Sequence, residues 1–298
     1  MDYKLVEALA AVATEGGFER AARVLHLTQS AVSQRVRLLE DQTGRILLAR
    51  TNPPRPTSAG RRLLKHFRQV SRLEADLLDE DPSGTSTSFS TLPVGVNADS
   101  LATWFLEAVH PFVASEKVLL DIHVDDQEET HKLLKNGEVI GCVSAARPPM
   151  QGCRVEALGG MTYRLLAAPD FARNRLPGGL TPETVRDAPG LIFNRKDDLH
   201  NKVFRGLFGE APDGVPAHYV PSSEKFVDVI LRGWAYGMLP DIQARDLVRA
   251  GRLVELAPDQ PVLVDLYWHC WNIKSPVIQN FTRTLVSGAR KLLGPPVE

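Results

Sequence analysis

The sequence contains 298 residues, of which 43% are hydrophobic and 24% are charged. Because a chain of this length can bury sizeable cores, we expect a soluble globular protein of about two domains. No window approaches the ~18 consecutive apolar residues of a membrane span, and no charged start precedes an apolar run. We therefore expect a cytoplasmic protein with neither a signal peptide nor a membrane partner.

The charges are unevenly distributed. Residues 1–72 carry thirteen Lys or Arg against six Asp or Glu, although the formal net charge of the whole chain is -1. The first part thus has a surplus of seven positive charges, and the rest has a surplus of eight negative charges. A basic end on an acidic body is typical of a DNA-binding module attached to a domain of another kind.

Three helices are predicted at the amino-terminal end. The first runs from Asp2 to about Glu15 and is ended by Gly16 and Gly17. The second and third helices are predicted from two apolar stripes of helical period, which are separated by a break in the pattern. The stripes are Phe18, Ala21, Ala22 and Leu25 in the first helix and Val32, Val36 and Leu39 in the second.

The second of this pair has a polar face suited to DNA. Thr28 is predicted to cap the helix, because its hydroxyl can accept from the orphan backbone donors of the first turn. Ser30, Ser33, Gln34 and Arg37 then share the solvent side. Hydroxyls, an amide and a guanidinium suit the base edges of a major groove. We interpret the pair as a helix-turn-helix whose second helix is the reader helix.

The alternative is an ordinary amphipathic helix pair in an all-α domain, since such pairs are common. Charge favours DNA, because the stretch from Arg20 to Arg72 holds twelve Lys or Arg and only two acids, Glu40 and Asp41. Such asymmetry is the electrostatic footprint of a polyanion partner. The candidate DNA contacts are Thr28, Gln29, Ser30, Ser33, Gln34, Arg37, Arg50 and Arg55.

A wing and a long helix are predicted next. Ile46 to Leu48 is predicted to be a short strand, and three prolines exclude a helix or a central strand over residues 49–57. We interpret this segment as a wing that places Arg50 and Arg55 near phosphates or the minor groove. The alternative is a surface turn with solvated arginines.

The helical pattern resumes at about residue 58. Leu63, Val70 and Leu77 repeat at intervals of seven, which is typical of a seam for a partner helix. Residues 81–91 are rich in Ser, Thr, Gly and Pro and are predicted to form a hinge.

The remainder alternates between apolar strands and helices. Strands at 92–96, 118–124 and 139–144, with helices between them, predict a parallel α/β sheet with right-handed crossovers. A second unit of the same kind follows over 163–256, and the last strand and helix are expected to return to the first unit. Because no nucleophile elbow, phosphate-binding loop or HExxH motif occurs, we expect no enzyme activity.

Several stretches also resemble a known family. The run FERAARVLHLTQSAVSQRVRLLE at 18–40, with Arg50 and with PTSAG at 56–60, resembles the winged helix-turn-helix of the LysR-type transcriptional regulators. The arginine/lysine-responsive branch, also labelled chromosome initiation inhibitors, has stretches similar to NADSLATWF at 97–105, NRKDDLH at 194–200 and VPSSEKFVD at 220–228.

The resemblance implies a domain plan. It comprises a winged helix-turn-helix over 1–58, a linker and dimerisation helix over 59–80, a hinge over 81–91 and an effector-binding domain over 92–298. The last has the two-lobe α/β fold of periplasmic binding proteins. Its lobes are predicted at 92–162 with 267–298, and at 163–266.

The resemblance also implies partners. The linker helix is expected to pair subunits through Leu63, Phe67, Val70 and Leu77, giving a homodimer or homotetramer. Symmetry then implies double-stranded DNA with two-fold related half-sites. RNA polymerase is left open as a further partner. The effector is expected to be a basic amino acid, lysine or arginine, with no cofactor, and the regulated genes to serve amino-acid transport or metabolism.

Effector contacts are expected outside the carboxyl ends of parallel strands. After the first strand, Asp99 and Ser100 open a helix whose free amides attract an anion, with Thr103 one turn on. After the second strand, Asp126 is expected to pair with a ligand ammonium or guanidinium. Ser222 and Ser223 repeat the same logic in the second unit. The alternatives are simple helix caps and solvated surface acids.

Two other functions compete with this interpretation. One is a ligand-independent architectural DNA-binding protein that acts on a replication origin or the nucleoid. The other is a thiol redox sensor using Cys142 or Cys153, although no clustered bases lower the pKa of either thiol. The three cysteines, Cys142, Cys153 and Cys270, show no metal-binding spacing, so free thiols in a reducing compartment are expected.

Overall fold

The structure, a computed structural model, describes residues 2–79, 89–124 and 127–295. None of the helices in these ranges is both long and apolar enough to cross a membrane. The helices and strands, in chain order, are α1 Tyr3–Glu15, α2 Phe18–Val24, α3 Gln29–Thr43, β1 Leu48–Ala49, β2 Arg55–Pro56, α4 Ser58–Asp79, β3 Ser90–Val96, α5 Ala98–Ser100, α6 Leu106–Ser115, β4 Val118–Val124, α7 Gln127–Asn136, β5 Gly141–Ser144, β6 Cys153–Ala167, α8 Pro169–Arg175, α9 Pro182–Asp187, β7 Gly190–Ile192, α10 Leu199–Phe208, β8 Ala217–Tyr219, α11 Ser223–Leu231, β9 Tyr236–Pro240, α12 Asp241–Arg249, β10 Val254–Glu255, β11 Val262–Trp271 and α13 Pro276–Leu292.

The amino-terminal module is a three-helix unit with a two-stranded wing. Gly16 ends α1 in the left-handed conformation, and Gly44 ends α3 in the same way. The predicted apolar stripes converge on one core, in which Leu9, Val32 and Leu39 are fully buried. The predicted strand at Ile46–Leu48 was wrong in position. The strand lies at Leu48–Ala49 and pairs antiparallel with Arg55–Pro56, while Ile46 is exposed.

The remaining residues form one body around a mixed sheet. Over the described residues the strand order is β4-β3-β5-β11-β6-β9-β7-β8, and β10 pairs with β6. β3 is parallel to β4 and β5, as predicted, and β7 is parallel to β8 and β9. The long strands β6 and β11 lie antiparallel to each other in the middle and join the two halves.

Several features of the body differ from the sequence prediction. β6 begins at Cys153 rather than Arg164, and it runs antiparallel to β9, so the second unit is not wholly parallel. The short strands β8 and β10 were missed, because two or three residues carry too little periodicity. The helix after β3 is continuous from Ala98 to Ser115 but contains a π-helical turn over Leu101–Phe105.

Candidate functional site

The reader helix α3 presents its polar face to solvent. The Thr28 hydroxyl accepts from the Ala31 backbone N–H at 3.1 Å, which confirms the predicted cap. Gln29, Ser30, Gln34 and Arg37 are exposed, whereas Ser33 is half-buried. The arginines of the wing, Arg50 and Arg55, are also exposed. The surface that the sequence assigned to DNA is therefore available to a partner.

Glu40 connects the reader helix to the wing, a contact that no local sequence pattern indicates. Its Oε1 accepts from the backbone N–H groups of Leu47, at 2.7 Å, and Leu48, at 3.2 Å. The Arg61 guanidinium fixes the other strand by donating to the Pro56 carbonyl at 2.7 Å. A carboxylate that accepts two backbone donors holds the wing in register with the helix.

A cavity of about 330 Å³ lies at the carboxyl ends of β3, β5 and β7. This is where parallel strands of an open sheet are expected to bind ligands. Its walls come from segments that are far apart in the sequence. They are Asn97, Ala98, Asp99, Ala145, Tyr163, Phe193, Asn194, Lys196, Asp197, Asp198, Leu199, Lys202 and Val264.

Asp99 bridges the two halves of the body. Its carboxylate accepts from the Tyr163 hydroxyl at 2.6 Å and from the hydroxyl of Ser223, the first residue of α11. Burial raises the pKa of the Asp99 carboxyl, and the neighbouring charge of Asp197 acts in the same direction, against the two hydrogen bonds. Burial and a neighbouring like charge therefore oppose ionisation of Asp99, whereas the hydrogen bonds from Ser223 and Tyr163 favour it.

Asp197 adds a second carboxylate to the same cavity. Its oxygens accept from the backbone N–H groups of Phe193, at 3.3 Å, and Leu199, at 3.0 Å, and these two bonds fix its orientation. Among the described residues, no donor reaches the buried Oδ1 of Asn97, which lines the same wall. Carboxylates and an unpaired carbonyl oxygen are acceptors, so the inner wall suits a ligand rich in N–H donors. Lys196, Lys202 and Asp198 are exposed.

Of the effector contacts predicted from the sequence, the cavity wall includes Asp99 and not the hydroxyl residues. Ser100 is fully buried, and its Oγ has no hydrogen-bond partner among the described residues. Thr103 donates to the Asp99 carbonyl at 2.6 Å. Ser222 caps α11 by accepting from the Lys225 N–H at 3.4 Å. Asp126 lies outside the described residues.

Sequence reasoning missed Asn97, Tyr163 and Asp197. Asn97 and Asp197 stood inside the stretches NADSLATWF and NRKDDLH, which were quoted only for the family resemblance. Tyr163 gave no local signal, because it lies in the middle of a strand whose place beside Asp99 depends on sheet order.

The predicted dimerisation residues lie along α4. Leu63 and Phe67 pack partly against the core of the amino-terminal module, whereas Leu77 is 70% exposed. Val70 is half-buried. The exposure of Leu77 is compatible with a partner helix, and the pairing itself stays a prediction.

The geometry of the cysteines opposes a thiol switch. All three are free. Cys142 lies opposite His269, and Cys270 lies opposite Gly141, in the β5–β11 ladder. Since side chains alternate along a strand, Cys142 and Cys270 point to opposite faces of the sheet. Burial raises the pKa of Cys142 and of Cys153, which keeps these thiols protonated and unreactive.

Two family models match the chain. Residues 3–61 match the bacterial regulatory helix-turn-helix proteins of the lysR family, and residues 89–290 match the LysR substrate binding domain.

Individual relatives match over nearly the whole length. The HTH-type transcriptional regulator ArgP of Pseudomonas aeruginosa is 43% identical over 289 residues, which are 97% of this chain and 96% of that protein. The crystal structure of ArgP from Mycobacterium tuberculosis is 39% identical, has a TM-score of 0.90 and covers 99% of both chains. Full-length LysG from Corynebacterium glutamicum with bound effector Arg is 32% identical, with a TM-score of 0.82, and covers 99% of this chain and 100% of that one.

Proposed function

The chain belongs to the LysR family of bacterial regulatory helix-turn-helix proteins, and from that premise we propose that its effector is a basic amino acid, lysine or arginine. Membership makes it a DNA-binding transcription regulator whose second domain responds to a small molecule. The effector itself is supported by the names of relatives, ArgP and an arginine-bound LysG, and by the chemistry of the cavity.

One observation carries the proposal. Asp99 and Asp197 share a cavity and lie close enough for the charge of Asp197 to raise the pKa of Asp99. Two neighbouring carboxylates repel each other, more strongly when one of them is buried as Asp99 is, and a cation relieves that repulsion. A ligand with two positive groups and one negative group, such as lysine or arginine, brings a cation to Asp99 and Asp197, whereas the lysines of the lining, Lys196 and Lys202, are exposed.

The assignment of roles follows from the donors and acceptors. Asp99 and Asn97 receive the α-ammonium group, and Asp197 receives the side-chain ammonium or guanidinium, which suits bidentate pairing in the case of arginine. The α-carboxylate binds the free backbone amides at the start of the helix that runs from Ala98 to Ser115. Ser100, Thr103, Asp126, Ser222 and Ser223 stay candidates for further contacts.

DNA binding is assigned to the exposed face of α3 and to the wing. Arg37 reads base edges, and Arg50 and Arg55 bind phosphates or the minor groove. A homodimer or homotetramer paired through α4 would address two half-sites related by symmetry. Since the target is bacterial DNA, the protein acts in the cytoplasm, with RNA polymerase as a further partner at the promoter.

Calorimetric titration of the full-length protein tests the effector. L-lysine or L-arginine should bind, whereas norleucine, citrulline and glutamate, which lack the side-chain cation, should bind at least tenfold more weakly. The variant Asp197→Asn should lose that discrimination, since it removes the charge and keeps the shape. Asp170→Asn is the control, because Asp170 is exposed and pairs only with Arg173 among the described residues.

Binding of lysine or arginine that is unchanged in Asp197→Asn would contradict the proposed role of Asp197. If the folded wild-type protein bound none of the amino acids, an unrelated effector or the ligand-independent architectural function would replace the basic amino acid.

A further inference from the structure

The linker helix α4 is docked on the effector-binding body of its own chain. We propose that this docking surface transmits effector binding to the reader helix, through two rigid elements that each reach from α4 to the cavity side of the body. The docking surface consists of Lys65, Arg68, Arg72 and Asp76 on α4, facing Ser90 and Gly137 of the body. The direction of signalling rests on the proposed effector, whereas the docking itself does not.

The first docking point is Gly137, directly after α7. The Arg68 Nη1 donates to the Gly137 carbonyl at 3.0 Å. Gly137 adopts a φ of +74°, and a Cβ there would lie 2.7 Å from the Lys65 Cα. Because that atom belongs to the backbone of α4, the two chain segments touch without an intervening side chain. No residue larger than glycine fits while α4 keeps this position.

The second docking point is the start of β3. The Arg72 Nη1 donates to the Ser90 Oγ at 2.5 Å, and its Nη2 donates to Asp76 on the next turn of α4. Arg72 is 9% exposed and Asp76 is 7% exposed. Asp76 belongs to the same helix and holds the buried Arg72 guanidinium in place, and the hydrogen bond from Arg72 to Ser90 crosses to the body.

The docking points lie at one end of β3 and one end of α7, and the other end of β3 meets the cavity. β3 runs for seven residues from Ser90, and Asn97 of the cavity wall follows it directly. α7 has ten residues, which span about 15 Å, and it begins on the carboxyl side of β4. Thr130 of α7 packs against Gly95 of β3, so the two elements are in direct contact. A shift of Asn97 or Asp99 on ligand binding therefore reaches α4 at both points.

The opposite part of α4 belongs to the DNA-binding module. Leu64 is 2% exposed within the core that also contains Leu39 of the reader helix, and the ring of Phe67 lies 6.1 Å from that of Tyr3 on α1. Since α4 is one continuous helix of 22 residues, a displacement at Arg68 or Arg72 also moves the module. A rigid element with contacts at both ends satisfies the physical requirement for coupling between two sites.

The variant Gly137→Ala tests whether α4 is docked on the body. The new methyl group should lift α4 from the body and leave the cavity unchanged. The matched control is Gly251→Ala. Gly251 follows α12 with a φ of +67° and with the same pair of helix-ending hydrogen bonds, but its Cβ would meet no atom within 4 Å. Both variants carry the same backbone strain, and only one disturbs α4.

Hydrogen–deuterium exchange on the full chain tests the docking without any ligand. The amides of residues 65–76 should exchange at least tenfold faster in Gly137→Ala than in the wild type, and at the wild-type rate in Gly251→Ala. Equal protection of α4 in all three proteins would overturn the docking. Arg68→Gln gives an independent variant, because it removes the donor to the Gly137 carbonyl without adding volume.

The thermodynamic linkage between effector binding and DNA binding measures how strongly the two sites are coupled. The Kd of L-lysine and of L-arginine is determined with and without a DNA duplex selected from a random-sequence library by the wild-type protein. Because coupling is reciprocal, the ratio of the two Kd values measures it, and allosteric ratios are typically about 5–150-fold. The ratio should approach one in Gly137→Ala, with the Kd in the absence of DNA unchanged, and should keep its wild-type value in Gly251→Ala.

An unchanged ratio in Gly137→Ala would overturn the transmission. Failure of the wild-type protein to bind either amino acid would instead refute the proposed effector, and the exchange experiment would then decide the docking alone.

Discussion

The reader helix and the inner wall of the effector cavity differ in the sign of their charged side chains and in how far those side chains are exposed to water. The charged side chains of the reader and wing, Arg37, Arg50 and Arg55, are exposed, so they are hydrated before DNA arrives. Asp99 of the cavity is held where burial and a like charge oppose its ionisation. A charge pair on a solvated surface contributes little to folding stability, whereas a cation placed beside a buried carboxylate with a like-charged neighbour contributes more. The body should thus depend on its ligand more strongly than the DNA-binding module does.

The two regions also have separate cores, and the largest predicted effect tests this separation. Trp268 is fully buried in the body and donates to the Thr282 hydroxyl at 3.1 Å. Trp268→Ala should destabilise the body by about 3–5 kcal/mol, because it removes a large side chain and leaves a cavity. In calorimetry of the full chain, the transition of the body should fall while that of the amino-terminal module stays within a degree or two. An equal shift of both transitions would show a single cooperative unit.

The buried body should also respond to acid more than the exposed module. Burial lowers the pKa of His200 from 6.5 to about 4, so the unfolded chain binds a proton in this window that the folded chain does not. Stability is therefore fully present above pH 6.5 and is lost as the pH falls toward 4, by as much as about 3 kcal/mol. His200→Gln should flatten the plot of melting temperature against pH, and His110→Gln, at an exposed position, should not. Equal slopes in all three proteins would assign acid sensitivity to other groups.

The smallest predicted effect distinguishes two kinds of exposed arginine. Arg37→Ala should weaken binding to the preferred duplex by about 1–3 kcal/mol and relax the sequence preference at one base pair. Arg55→Ala should weaken binding equally on all sequences and reduce the salt dependence. Competition binding against single-base variants of the selected duplex measures both. A uniform loss in Arg37→Ala would make Arg37 a phosphate contact.

The sequence predicted the reader helix better than the cavity, for a physical reason. Thr28 and the residues on the outer face of α3 lie within ten positions of each other, so helical period alone places them on one surface. Asp99 was found because it directly follows a strand that the sequence made plain. Asp197 and Tyr163 reach Asp99 only through the order of strands in the sheet, which local pattern does not encode.

The same limit applies to contacts between modules. The sequence indicated α4 and its repeating leucines, but the approach of Gly137 to Lys65 joins residues 72 positions apart. In the sequence, Glu40 is noticeable only as one of two acids in a basic stretch. Its hydrogen bonds from the backbone N–H groups of Leu47 and Leu48 exist only once the turn between α3 and β1 has folded.

The most direct test of the cavity assignment is a crystal structure of the full-length protein with L-arginine. The proposed function predicts that the guanidinium lies within hydrogen-bond distance of Asp197 and the α-ammonium within that of Asp99 and Asn97. Arginine bound elsewhere, or bound with its carboxylate against Asp99 and Asp197, would contradict the claim that these two neighbouring carboxylates select a basic amino acid.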